Sequence, residues 1–177
     1  AAQFPWENYR TVIDVGTAEG CLPVEVALAH PHMRGGGFDL PELGDIFKIY
    51  IREHGLADRV QFYPGDFLKM GFPAADVVVL GRILHNWDIN TKRMLLGKAY
   101  DALPEGGALI VYETLIPEDR RSSAAGMLAS LNMLLWTAGG FDFSGADCAA
   151  WMSDAGFRDI RVEPLVADES MVIGKKL

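Results

Sequence analysis

The chain has 177 residues, half of them hydrophobic and 23% charged, enough for one domain with a sizeable buried core. Its 16 basic and 24 acidic residues leave a formal charge of −8, which argues against a nucleic-acid partner, because phosphate binding wants clustered Lys and Arg. No apolar run reaches the ~18 residues of a membrane helix, no basic-then-apolar leader opens the sequence, and Cys21 and Cys148 form no C-x-x-C pair. A cytoplasmic, reducing setting without membrane contact is therefore expected.

In chain order, short β-rich runs alternate with longer helical patterns, the signature of a parallel sheet with crossover helices. The first strand is Thr11 to Val15. A turn from Gly16 to Gly20 leads into an apolar helix that ends at His30-Pro31, since a residue before proline avoids the α region. A second strand over Gly37 to Leu40 precedes a helix over about Glu42 to His54. Val60 to Tyr63 and Ala75 to Leu80 are the third and fourth strands, the latter apolar enough to be buried on both faces. Asn90 or Thr91 caps the next helix, which stops at Pro104-Glu105-Gly106-Gly107 before a fifth strand, Ala108 to Glu113.

The last third begins with a Met- and Leu-rich helix from Ser122 to Trp136, broken by Gly139-Gly140. Its stripe of Met127, Leu128, Leu131, Met133, Leu134 and Trp136 reads first as core packing. Ser144 caps a helix over Ala146 to Ala155, and Gly156 ends it. Strands over Arg158 to Glu163 and Ser170 to Ile173 flank a turn at Ala167-Asp168-Glu169 and pair antiparallel, and Lys175-Lys176 reads as a solvated tail. Nothing divides the chain, so residues 1–177 form one domain.

In an open α/β sheet, ligands bind beyond the carboxyl ends of the strands at the topological switch point. Gly16 and Gly20 let the backbone approach a ligand closely, although such a turn is also a common tight connection. Asp39 closes the second strand at the distance where a carboxylate holds both ribose hydroxyls of an adenosine. A dinucleotide fingerprint would need glycine where Ala18 and Cys21 stand, which disfavours an NAD-dependent oxidoreductase. After the third strand, Asp66 is placed to accept from an adenine amino group while Phe67 packs on the ring; the plain alternative is a solvated turn aspartate beside a core phenylalanine.

Taken together, Asp14-Val15-Gly16…Gly20, Phe38-Asp39-Leu40-Pro41, Gly65-Asp66-Phe67, Leu84-His85-Asn86-Trp87-Asp88, Leu103-Pro104-Glu105-Gly106-Gly107 and Gly139-Gly140 resemble the plant caffeate-type and bacterial antibiotic-pathway S-adenosylmethionine-dependent O-methyltransferases. The resemblance covers essentially the whole chain. It implies an α/β fold of the class I methyltransferase type, a Rossmann-like, mostly parallel sheet of seven strands with an antiparallel last pair. It also implies that the glycine loop contacts the amino-acid part of S-adenosylmethionine, that Asp39, Leu40, Asp66 and Phe67 hold its ribose and adenine, and that Gly81-Arg82 lines the same pocket. His85 falls on the family's general base, Glu113 on the acidic residue after the fifth strand, and Asp142 nearest its second acidic partner. Trp87, Asp88 and Met133 fall at acceptor-facing positions.

Departures from the family pattern stand beside these matches. Thr17, Ala18 and Glu19 occupy a loop usually richer in glycine and are expected to narrow the site. Asn86 replaces a frequent aspartate, and Asp142 is one methylene shorter than the usual glutamate. The family carries a preceding helical domain that makes its homodimer, and this chain starts almost at the first strand, so that domain is expected to be missing from it and part of the Met- and Leu-rich stripe to stand exposed.

The chemistry implied is transfer of a methyl group to a hydroxyl of an aromatic or polyketide-like small molecule. A phenol ionises near pH 10, so a positioned base with a pKa near 6.5 raises the reactive phenolate at neutral pH, and no metal is required. A satisfied histidine at a strand end is the plain reading of His85. His30, His32 and His54 read as helix-terminal or surface residues rather than metal ligands. A cofactor-binding module without turnover, and a divergent member performing decarboxylation or hydroxylation, remain alternatives.

Overall fold

The computed structural model describes residues 3–122, 124–166 and 168–177. Ser123, within the expected Met-rich helix, and Ala167, within the expected turn, lie outside the described residues. The chain forms β1 (Thr11–Val15), α1 (Cys21–Ala29), β2 (Arg34–Asp39), α2 (Gly44–Glu53), β3 (Val60–Pro64), β4 (Val77–Gly81), α3 (Ile89–Ala102), β5 (Ala108–Glu113), α4 (Ala124–Trp136), α5 (Gly145–Asp154), β6 (Arg158–Pro164) and β7 (Ser170–Lys175). One seven-stranded sheet runs in the order β3-β2-β1-β4-β5-β7-β6. The first five strands pair parallel, while β7 pairs antiparallel with both β5 and β6, which is the arrangement the resemblance implies.

Strand alternation sorts the core into two faces. Val78 and Leu80 of β4, with Leu109 and Val111 of β5, pack under Leu95, Leu96 and Ala99 of α3 and Cys148 and Met152 of α5. Their neighbours Val77, Val79 and Ile110 face the opposite way, toward Phe4, Trp6 and Val26. Phe47 and Ile51 of α2 close over Val24 and Ala27 of α1. Because β1 and β4 are adjacent while the chain winds outward from each, the switch point lies between the carboxyl ends of these two strands.

Several boundaries differ from expectation. β2 begins at Arg34 rather than Gly37, although three consecutive glycines ordinarily weaken a strand. Here helices and neighbouring strands press so closely that a Cβ on Gly37 would lie 2.3 Å from Phe47 and Thr17. Leu40 falls outside the strand and is exposed, and β4 starts at Val77 rather than Ala75. Asp88, not Asn90 or Thr91, caps α3, its Oδ1 accepting from the backbone of both residues at 2.8 and 3.0 Å. Lys175-Lys176 is no tail: Lys175 belongs to β7, and Lys176 Nζ donates to the carbonyls of Tyr100 and Leu103 at the end of α3.

The α4 stripe follows the exposed reading rather than the core one. Leu128, Leu131, Leu134, Leu135 and Trp136 are exposed, Trp136 to 80%, so the stripe read as core stands largely uncovered. Asp142 N–H donates to Ser130 Oγ of α4 at 3.3 Å, and the Thr137 hydroxyl bonds back to the Met133 carbonyl at the helix end. Met133 itself is half-buried.

Candidate active site

His85 sits in a single 3₁₀ turn, Leu84–Asn86, just beyond the carboxyl end of β4. The turn is fixed from β5, because the His85 backbone N–H donates to Glu113 Oε1 at 3.3 Å. Asp142 arrives from the segment before α5, whose start is locked by a reciprocal capping box between Ser144 and Asp147. His85 Nδ1 then lies 3.2 Å from Asp142 Oδ1 and 3.6 Å from Glu113 Oε2, with both carboxylates buried. Asp142 thus reaches the imidazole despite its shorter side chain.

Both acids address one ring nitrogen, so Nδ1 carries the hydrogen toward Asp142 and Nε2 is the basic atom of the neutral ring. Among the described residues Nε2 makes no hydrogen bond. Burial works against the imidazolium, but the Asp142 hydrogen bond and the charges of Glu113 and Asp142 outweigh it. Protonation of His85 is therefore held above the ordinary histidine value. Burial also pushes the Glu113 carboxyl up to about 7, against the pull of His85. Among the described residues, one oxygen of each acid, Glu113 Oε2 and Asp142 Oδ2, is buried without a hydrogen bond.

A second group of residues gathers around the switch point. The loop after β1 alternates left-handed backbone at Gly16, Ala18 and Gly20, with φ of 75°, 51° and 94°. A Cβ on Gly16 would fall 2.2 Å from Ile83, with the Phe67 ring 3.8 Å away, so these three positions converge. Gly81 ends β4 under the ring of half-buried Tyr112, which a Cβ there would approach to 2.1 Å. Asp39, buried at the end of β2, accepts from Ala18 N–H at 2.9 Å and from Leu40 N–H at 2.8 Å. Phe67 and Trp87 meet edge to face at 6.1 Å, and the buried Trp87 indole N–H is without a partner.

Other expected site residues have different surroundings. Thr17 does not narrow the loop; its side chain is buried toward Gly37, while Ala18 and Glu19 are exposed. Asp66 Oδ1 accepts from Leu68 N–H at 2.9 Å and Oδ2 pairs with Lys69 at 2.9 Å, and these bonds, the Lys69 one first, hold its carboxyl below the usual range. Each Asp66 oxygen thus has one partner and keeps further acceptor capacity, as the Asp39 oxygens do. The exposed Arg82 side chain pairs with Glu169 at 3.3 Å. Asp88 spends its carboxylate on the α3 cap. Two cavities, of about 820 and 340 Å³, lie along β1 to β3 and beside α1, and His85, Glu113 and Asp142 line neither.

Two residues of this region carry no assigned role in the sequence pattern. Asp14 of β1 is buried and pushed up to about 7 chiefly by that burial, with Asp39 adding to the shift. Thr17 Oγ1 is near enough to counter part of it but makes no hydrogen bond of normal geometry. An aspartate in a strand pattern carries no marker of this. Lys92 of α3 is completely buried, whereas its flanks, Thr91 and Arg93, make it read as part of a solvated face.

The residues present fit S-adenosylmethionine. Each Asp39 oxygen keeps acceptor capacity beyond its one backbone donor, as ribose hydroxyls require. Gly16, Ile83 and Phe67 converge as an apolar surface of the kind an adenine ring packs on. Asp14 is a buried carboxyl that a nearby cation would return to its ionised form.

Comparison with known proteins agrees with this geometry. Residues 2–158 match the family described as the O-methyltransferase domain. The chain is similar to the tetracenomycin polyketide synthesis 8-O-methyl transferase TcmO of Streptomyces glaucescens, 39% identical over 99% of this chain and 52% of that protein. It is also 39% identical to the N,N-dimethyltransferase OxyT of Streptomyces rimosus, over 99% of this chain and 52% of that protein. Human N-acetylserotonin methyltransferase, solved in complex with SAM, superposes with a TM-score of 0.89 at 31% identity, covering 98% of this chain and 49% of that one. The chain spans about half the length of the curated relatives it matches.

Proposed function

Because this chain belongs to the O-methyltransferase domain family, we propose that it transfers a methyl group from S-adenosylmethionine to a hydroxyl of an aromatic or polyketide-like small molecule, with His85 as the general base. The observation that carries this reading is the built base: an imidazole whose Nδ1 is engaged by two buried carboxylates while Nε2 stays available. When bound, S-adenosylmethionine supplies a methyl group on a sulfonium, a very good leaving group. The protein's share is to align the acceptor oxygen and take its proton.

Nε2 of His85 receives that proton, and the imidazolium so formed is stabilised by Asp142 and Glu113 without either acid needing to be protonated by it. Gly16, Asp39, Ile83 and Phe67 bind and orient the methyl donor, and Trp87 and Met133 face the acceptor. Asp66 accepts from the adenine amino group in this reading, while Arg82 and Asp88 contribute through backbone or loop geometry, because their side chains are engaged elsewhere. The full-length protein is a homodimer in this reading, as the resemblance implies, and the exposed apolar positions Leu131, Leu134, Leu135 and Trp136 of α4 are compatible with association; a full-length protein that sediments as a monomer at micromolar concentration would overturn that part.

The similarity to an N,N-dimethyltransferase favours a second reading, an amine acceptor at the same site. Labelled S-adenosylmethionine offered with paired phenol and amine acceptors separates the two, read as the gain of one methyl on oxygen or nitrogen. Expected is transfer to oxygen that falls about 10²–10⁴-fold in His85→Gln. Undiminished turnover in that variant would remove the base assignment, and transfer to amines alone would remove the acceptor class. Calorimetry with S-adenosylmethionine and with NAD completes the test: binding of the former only, weakened about 10–100-fold in Asp39→Ala by loss of a charged hydrogen-bond acceptor, is expected. Binding without transfer to any acceptor would make the chain a non-catalytic module.

A further inference from the structure

A fully buried lysine needs an explanation, because an ammonium inside a protein is costly unless its hydrogens and charge are matched. Lys92 lies close to the amino end of α3, where the helix dipole also opposes a cation. Its Nζ donates to the Trp87 carbonyl at 2.6 Å and to the Phe141 carbonyl at 2.9 Å, and it stands 3.3 Å above the centre of the Phe141 ring. Two carbonyls and an aromatic face thus meet the three N–H bonds of the ammonium. The rings of Phe143 and Trp151 complete the nest at 5.4 and 6.0 Å.

The two carbonyls belong to the segments that carry the candidate base and its acid. Trp87 closes the 3₁₀ turn of His85, and Phe141 immediately precedes Asp142. The same segments touch directly at Gly140, where a Cβ would come within 2.5 Å of the His85 carbonyl oxygen. We propose that Lys92 is a positioning residue for the base: its ammonium rivets the His85 turn to the Asp142 segment and so fixes the Nδ1–carboxylate contact. The proposal rests on His85 acting as the base.

Charge agrees with that role. The titratable groups facing Lys92 are Glu113 from β5, Asp142, Asp88 at the helix cap and Cys148 from α5. Burial pulls the ammonium down to about 8, and the Glu113, Asp142 and Asp88 carboxylates act to keep it charged. At neutral pH it supplies the positive charge that lets two buried carboxylates sit beside one imidazole.

The test is Lys92→Met, which fills the aromatic nest without the charge or the donors, beside Lys92→Gln, which keeps N–H donors on a shorter, neutral chain. Expected for Lys92→Met are a kcat lower by about 10–100-fold, a KM for S-adenosylmethionine changed less than about twofold, and loss of the downfield NMR signal of His85 Nδ1–H as its hydrogen bond to Asp142 loosens. Lys92→Gln is expected to fall between Lys92→Met and the parent in both readouts, and it replaces Lys92→Met should that variant not fold. An unchanged Nδ1–H signal in either folded variant overturns the proposal whatever the activity. An unchanged kcat beside a His85→Gln variant that is inactive overturns it too, and leaves the base assignment standing.

Discussion

Asp142 Oδ1 lies 3.2 Å from His85 Nδ1, although the two residues are 57 positions apart and arrive on different segments of the carboxyl edge. That contact selects the tautomer and raises the affinity of the ring for a proton. It also makes the pH dependence of the site a direct measure of the geometry.

The acid limb of kcat/KM is expected to have its midpoint above 6.5, because His85 must lose its proton to serve as base and its folded-state value is raised. Asp142→Asn removes a charge and the charged acceptor, so the limb moves to lower pH while the maximum rate falls. An NMR titration of the His85 ring in both proteins checks the assignment independently of turnover.

Glu113 has the opposite consequence for stability. Its carboxyl is raised from the ordinary 4.5 to about 7, so between those values the folded state binds a proton that the unfolded chain has released. Stability contributed by this group is therefore lost as pH rises from about 4.5 through 7. Glu113→Gln is expected to flatten that decline in urea midpoints measured from pH 4.5 to 7.5, while the His85 N–H keeps an oxygen acceptor.

Asp88 separates a structural from an acceptor-binding role. Its carboxylate accepts from Asn90 and Thr91 N–H groups at the start of α3, and replacing such a cap by alanine costs about 1 kcal/mol. Asp88→Ala is expected to lower Tm by about 2–4 °C with the acceptor KM unchanged. A changed KM at unaltered Tm would place the side chain on the acceptor instead.

Ala18 occupies left-handed backbone at φ 51° in the loop after β1, a conformation that costs a residue with a Cβ about 1–2 kcal/mol. Glycine removes that strain but loses more chain entropy on folding. Ala18→Gly is expected to stabilise by about 0.5–1 kcal/mol in denaturant titration. Ala18 N–H donates to Asp39, and glycine retains that donor, so donor affinity is expected to hold.

Much of this protein was legible from local pattern. The apolar runs of β1, β4 and β5, the capping Ser144 of α5 and the chain-order alternation of strand and helix are properties of neighbouring residues, and they determined the seven-stranded architecture. The strand-end positions of Gly16, Asp39, Gly81 and His85 follow from the same pattern, since a parallel sheet gathers its carboxyl ends along one edge.

What local pattern could not decide depends on contacts distant in sequence. Three glycines form a strand in β2 because helices pack against it, and the α4 stripe stays exposed because no described element covers it. Asp66 looks free until Lys69 turns to it, and Lys92 looks solvated until Phe141 folds over it. Neighbouring residues were enough to locate the strand ends; which atoms of His85 the acids address follows from segments that folding brings together. Backbone propensity acts over a few residues, whereas a side chain's charge, burial and partners are set by segments that arrive from elsewhere.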